Sequence, residues 1–152
     1  MGLGMPRNVS VVEARALQSE GYTYVDVRSS PEFAAGHPEG SVNVPLFEPD
    51  ADTGQMAPNP DFVRVMQSVF APDAKLLVGC EVGGRSMRAA QMLESFGFGE
   101  VANVRGGFKG MRDPMSGRTV DPGWHESDLP VERDQPAGRA YRDLLARADS
   151  AT

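Results

Sequence analysis

One cysteine, one tryptophan and two histidines are all that this 152-residue chain holds of the rarer side chains. A single cysteine, Cys80, cannot form an internal disulfide, and a lone thiol suits a reducing compartment. No apolar run approaches the roughly 20 residues that span a bilayer. Positive charge is short as well. Fifteen Lys and Arg stand against 21 Asp and Glu, a net charge of −6. That balance argues against a nucleic-acid surface, and any anion site must be built locally. Residues 1–6, MGLGMP, lack the charged segment and apolar stretch of a secretory signal, and Pro6 stands where a myristoylation start carries Ser or Thr. A cytoplasmic location is the expectation. No repeat or low-complexity segment is present, and the length suits one domain around one core.

Short β-rich runs alternate with helical patterns, which predicts an α/β fold with a mostly parallel sheet flanked by helices. Ser10 caps a helix over 11–19 with Glu13 in a capping box, and Gly21 ends it. Residues 22–27, YTYVDV, read as a buried strand. Pro31 opens a short helix, and residues 41–44 form a second strand. Residues 46–58 read as an exposed loop. A helix follows through about residue 70. Residues 75–79, KLLVG, are the most strand-like run, with Cys80 directly behind it. A helix over 85–96 places Met87, Ala90 and Leu93 on one stripe. Residues 101–104 form the last strand. Residues 113–136 read as irregular and 139–148 as a terminal helix. The predicted organisation is therefore a domain over 1–112 and an extension over 113–152 packed on it, with Trp124 and Tyr141 as its anchors. The acids Glu48, Asp50 and Asp52 miss the Gly and Glu positions of a calcium loop and read as solvated surface.

Cys80 thus lies where a strand ends and a helix begins, the edge at which open α/β sheets bind ligands. Unpaired N–H groups of the loop and the positive end of the helix dipole favour a thiolate there, and Arg85 adds a full charge. Gly83 and Gly84 supply the positive φ and small bulk needed to wrap amides around one atom. A thiolate so placed attacks sulfur, phosphorus or arsenic centres. The same residues also fit a plainer reading, in which the glycines form a turn and Cys80 is a buried small hydrophobe.

Four ordered motifs resemble the rhodanese (sulfurtransferase) family over about residues 9–111. They are Tyr24-Val25-Asp26-Val27-Arg28 with Glu32-Phe33, then Gly36-His37 and Gly40-Ser41-Val42-Asn43-Val44-Pro45. Cys80-Glu81-Val82-Gly83-Gly84-Arg85-Ser86 forms the centre, and Val104-Arg105-Gly106-Gly107-Phe108 closes the set. The resemblance implies a rhodanese-like fold with Cys80 as the persulfide-forming catalytic residue. It implies that the backbone of Glu81, Val82, Gly83, Gly84, Arg85 and Ser86 cradles the outer sulfur and that Arg85 binds an anionic donor. Asp26 and Arg28 match positions that support the site, and His37 a structural hydrogen-bonding position. Glu81 departs from better-known thiosulfate users by placing a carboxylate beside the nucleophile. The chain also lacks the tryptophan often found behind the second glycine pair.

The implied reaction moves sulfane sulfur from thiosulfate or a persulfide onto Cys80 and on to an external thiol or cyanide, with no metal or organic cofactor. Its partners are a small-molecule sulfur donor and a thiol acceptor, or a protein persulfide, with neither nucleic acid nor membrane. Two alternatives share these motifs. One is a non-catalytic module that binds proteins or senses sulfide. The other is a phosphatase or arsenate reductase of related fold, whose loops resemble Cys-x5-Arg, one residue longer than the span from Cys80 to Arg85.

Overall fold

A computed structural model describes residues 6–151. The amino-terminal segment considered above falls, up to Met5, outside the described residues. The chain opens with β1 (Arg7–Val9), α1 (Val11–Gln18), β2 (Thr23–Asp26), α2 (Ser30–Ala35), β3 (His37–Pro38) and β4 (Val42–Asn43). It continues through β5 (Phe47–Pro49), β6 (Met56–Pro58), α3 (Phe62–Val69), β7 (Lys75–Gly79), α4 (Gly84–Ser95) and β8 (Glu100–Val104). The remainder holds β9 (Gly110–Arg112), β10 (Thr119–Pro122), a 3-10 turn at His125–Ser127, β11 (Val131–Glu132) and α5 (Tyr141–Ser150). The central sheet has the order β1-β8-β7-β2-β4, with every neighbouring pair parallel.

Strand alternation divides the core between the two faces of the sheet. Leu76, Val78 and Cys80 join Phe62, Met66, Leu93 and Leu144 on one face. Leu77 joins Val11, Tyr24, Val104 and Trp124 on the other. Burial on both faces explains why β7 reads as a continuous apolar run. α5 packs on α3 and adds Leu144 and Ala148 to the first cluster.

The helix starts follow their caps. Ser10 and Glu13 form the expected capping box on α1, and Ser29 with Glu32 forms a second on α2.

Several local expectations are corrected. Residues 46–58 are not a plain loop, because β5 and β6 pair as an antiparallel hairpin and Leu46 is buried. Glu48 accepts hydrogen bonds from the Ser30 N–H and hydroxyl, so it is not a freely solvated acid. The inward side of α4 is Ser86, Ala89, Ala90 and Leu93, with Met87 only half-buried. β1, β9, β10 and β11 had no predicted counterpart. The first pairs with β8 at the sheet edge, β9 with β10, and β11 with β3. Each is four residues or shorter and is defined by its partner more than by its composition.

Trp124 is fully buried, meets Tyr24 edge-on and donates from Nε1 to the Pro130 carbonyl at 2.7 Å. The Tyr141 hydroxyl accepts from Asn59 Nδ2 at 3.0 Å.

Candidate active site

β7 delivers Cys80 to the carboxyl edge of the sheet, and the turn 81–83 leads into α4. Within that turn the Gly83 N–H donates to Cys80 Sγ at 3.0 Å and the Ser86 N–H at 3.3 Å. The Ser86 hydroxyl lies 3.4 Å from the same sulfur. Convergent N–H donors at a helix start stabilise negative charge on that atom. Gly83 has φ +117°, a conformation open to glycine alone among common residues. Gly84, by contrast, is the first residue of α4 and shows no positive φ. The expectation of a paired left-handed turn therefore holds at one position only.

The thiol lies beneath the loop, not on its open side. Cys80 is 2% exposed and belongs to the apolar core on one side, with the loop amides on the other. Val82 is 45% exposed, and the Glu81 carboxylate extends to Lys109 Nζ at 4.0 Å.

Arg85 is bound to its own chain. Its guanidinium grips Glu32 through two hydrogen bonds of 2.8 and 3.0 Å, while keeping 27% of its side chain exposed. Burial works against ionising Glu32, but the hydrogen bonds from Arg85 and the Ser29 N–H outweigh it and bring the carboxyl down to about 2. Arg85 is thus a charge held in place beside the loop by Glu32.

A second clamp stands behind it. Arg28, 3% exposed, holds Asp26 at 2.7 Å, donates to the Gly36 carbonyl at 2.6 Å and lies 4.4 Å from the Phe108 ring centroid. Asn43 ties the carbonyls of Asp26 and Arg28 together through Nδ2, both at 2.9 Å. His37 stacks on Phe33 and bonds its carbonyl through Nδ1 at 2.7 Å, while Nε2 lies 3.4 Å from Glu132. These contacts suit a structural position.

Two supports were missed by sequence reading. The Phe108 N–H donates to the Cys80 carbonyl at 2.8 Å and the Lys109 N–H to the Glu81 carbonyl at 2.9 Å. The turn after β8 therefore fixes the start of the cysteine loop from outside. Asn103 on β8 accepts from the Ser86 hydroxyl at 2.6 Å and is itself buried. The signal for Asn103 was available, since it is a lone amide inside the apolar run 101–104. A cavity of about 230 Å³ opens beside the loop, lined by Arg28, Glu32, Gly36, Glu81, Phe108 and Lys109. Among the described residues no group of three or more His, Cys, Asp or Glu side chains could hold a metal ion. No described helix is long and apolar enough to cross a membrane.

A parallel sheet that ends in a cysteine met by the amides of the following turn defines a cysteine-loop α/β protein. Residues 10–113 match the rhodanese-like domain family, and the chain belongs to it. It is 39% identical over 104 residues to thiosulfate sulfurtransferase 16, chloroplastic, of Arabidopsis thaliana, covering 68% of this chain and 85% of that one. It is 40% identical over 106 residues to the mitochondrial protein High Arsenic Content 1 of the same plant, covering 69% of this chain and 61% of that one. Two further plant relatives are matched over only 62% of their length. In fold it is similar to the crystal structure of Rv0390 from M. tuberculosis, with a TM-score of 0.69 at 23% identity, covering 86% of this chain and 99% of that one.

Proposed function

We propose that the protein is a sulfurtransferase that carries sulfane sulfur as a Cys80 persulfide. The observation that carries the reading is the convergence of the Gly83 and Ser86 N–H groups on the Cys80 sulfur. The same donors can hold a terminal persulfide sulfur once the chain of two sulfurs extends into the loop. In the first step the Cys80 thiolate attacks the outer sulfur of thiosulfate. The bond between the two sulfurs of the donor breaks, and sulfite leaves with the electron pair. In the second step an external thiolate, a protein cysteine or cyanide attacks the outer persulfide sulfur and releases the Cys80 thiolate. The acceptor is external because the chain has no second cysteine. The reaction asks for a compartment that keeps Cys80 reduced, and the cytoplasm meets that need.

Glu81 through Ser86 form the cradle in this reading. Arg85, held by Glu32, orients the anionic end of a donor without moving. Glu81 weakens that attraction, partly offset by Lys109, so persulfide donors are favoured over thiosulfate. Two observations favour other readings. The 2% exposure of Cys80 suits a binding module whose thiol is structural. The name of one relative mentions arsenic, which keeps the arsenate-reductase alternative as a second reading. Steady-state kinetics with cyanide as acceptor separates all three. Parallel double-reciprocal lines with thiosulfate or a polysulfide support sulfur transfer by double displacement. Arsenate reduction with no sulfur transfer, or no turnover with any donor, overturns it.

A further inference from the structure

Behind the cysteine loop runs a buried polar chain that the two-step reaction does not by itself require. The Ser86 hydroxyl has three acceptors within reach: Asn103 Oδ1 at 2.6 Å, the Gly83 carbonyl at 3.1 Å and the Cys80 sulfur at 3.4 Å. It has one proton to give. The shortest of the three contacts assigns that proton to Asn103, which leaves the hydroxyl oxygen to accept from the Cys80 thiol. Asn103 in turn donates from Nδ2 to Asn8 Oδ1 at 2.9 Å, and Asn8 sits exposed on the edge strand β1. The chain Cys80–Ser86–Asn103–Asn8 therefore runs in one direction, from sulfur to surface.

An amide is the side chain that can run such a chain both ways. If Asn103 turns over, its NH₂ donates to Ser86, and the Ser86 proton is free to reach the sulfur. Asn8, an amide too, completes the reversed chain by donating to Asn103. The forward direction serves a neutral thiol. The reversed direction puts a third donor on an anionic sulfur, beside the Gly83 and Ser86 amides.

We propose that Asn103 is a positioning residue that, backed by Asn8, sets the direction of the Ser86 hydroxyl and thereby how far Cys80 favours its anionic form. The inference rests on the sulfur-transfer reading for its purpose, but its geometry and its test do not depend on any donor. The other charged and titratable groups around the loop are Arg85 on α4, Glu81 in the loop with Lys109 opposite, Glu32 on α2, the Asp26–Arg28 pair at the end of β2 and the buried Tyr24 hydroxyl on β2. None of them touches Asn103 or Asn8 in the contacts described above, so Asn103→Ala leaves that field in place, and the charge that an Asp variant adds is separated from the relay by salt and by the Ser86→Ala background.

Cys80 is the only cysteine, so thiolate absorbance in the ultraviolet, taken as the difference from Cys80→Ser, reports on it alone. Asn103→Asp can only accept, which holds the Ser86 proton away from sulfur. The titration midpoint should rise by about one pH unit, tenfold less thiolate at a given pH. Asn103→Ala frees the Ser86 proton and should not raise it. Because Asn103 is buried and Asp there can compromise folding, exposed Asn8 provides the second variant. Asn8→Asp should raise the midpoint by a smaller amount, persist at high salt where a surface field is screened, and lose its effect in a Ser86→Ala background. Equal shifts for Asn103→Asp and Asn103→Ala would overturn the proposal, as would an Asn8→Asp shift that salt abolishes or that survives without the Ser86 hydroxyl. Failure of sulfur transfer in the wild type with these shifts intact would sink the function and leave the relay standing.

Discussion

Gly107→Ala tests whether the turn after β8 aims the cysteine loop. Gly107 has φ +56°, and a Cβ there would lie 2.3 Å from the Cys80 carbonyl oxygen and 2.8 Å from that of Glu81. Real Cβ contacts stay beyond 3.0 Å, so the two backbones must part by at least 3.0 − 2.3 = 0.7 Å. Neither is a flexible side chain that can step aside. The shift falls on the carbonyl of Cys80 itself, which accepts the Phe108 N–H, and on that of Glu81, which accepts the Lys109 N–H. The left-handed backbone costs a further 1–2 kcal/mol or so for an alanine. Misplacing a reacting group by about 1 Å can cost on the order of 10²-fold in rate. Gly107→Ala should therefore lower kcat/KM for sulfur transfer by roughly 30- to 100-fold while the protein still unfolds cooperatively. Gly21→Ala is the matched control, with φ +95° and nothing within 4 Å of its Cβ. It should lose about 1–2 kcal/mol by urea denaturation and no activity. A folded Gly107→Ala enzyme with wild-type turnover would refute the idea that this turn holds the sulfur cradle in place.

Other expectations follow from the clamps and the tail. Arg28→Met leaves the buried Asp26 carboxylate without its partner and should cost about 3–5 kcal/mol in denaturant titrations; a loss below about 1 kcal/mol would show that Asp26 finds another partner. The Glu32 carboxyl is depressed to about 2 in the folded chain from an ordinary 4.5. Its ionised form therefore adds stability that is fully present above pH 4.5 and fades as pH falls through about 2. Glu32→Gln should flatten that limb of the stability curve, and an unchanged slope would argue against the Arg85 clamp. Truncation after Arg112 removes Trp124, Leu144 and Ala148 from the two core clusters. The shortened chain should fail to give a cooperative thermal transition, and a sharp transition would mean that the extension is dispensable. Glu81→Lys should lower KM for thiosulfate severalfold by replacing repulsion with attraction near the loop; a higher KM would remove Glu81 from donor selection.

Much of this architecture was legible where local chemistry decides local form. The strand KLLVG, the Ser10 capping box and the proline-led helix at Pro31 rest on period, capping and φ preference, which act within a few residues. The order of cysteine, glycine, arginine and helix placed the candidate site. What escaped depends on partners distant in sequence. β1 and β11 exist because β8 and β3 pair with them, and two or three residues of ordinary composition carry no signal of that. The Glu32 partner of Arg85 escaped because it lies 53 residues away and leaves no mark in the neighbourhood of Arg85. The burial of Cys80 likewise arises from Phe62, Ala90 and the rest of a cluster drawn from the whole chain. The extension read as irregular because its prolines and glycines hide β10 and β11, which form only by pairing with β9 and β3, although Trp124 stood out as an anchor.

The persulfide itself gives the most direct test. Intact mass of the full-length protein, recorded after one equivalent of thiosulfate or polysulfide, should show the gain of one sulfur atom. Peptide mapping should place that atom on Cys80, and cyanide should remove it. A folded wild-type protein that takes up no sulfur from either donor, or a Cys80→Ser variant that takes up as much, would contradict the assignment.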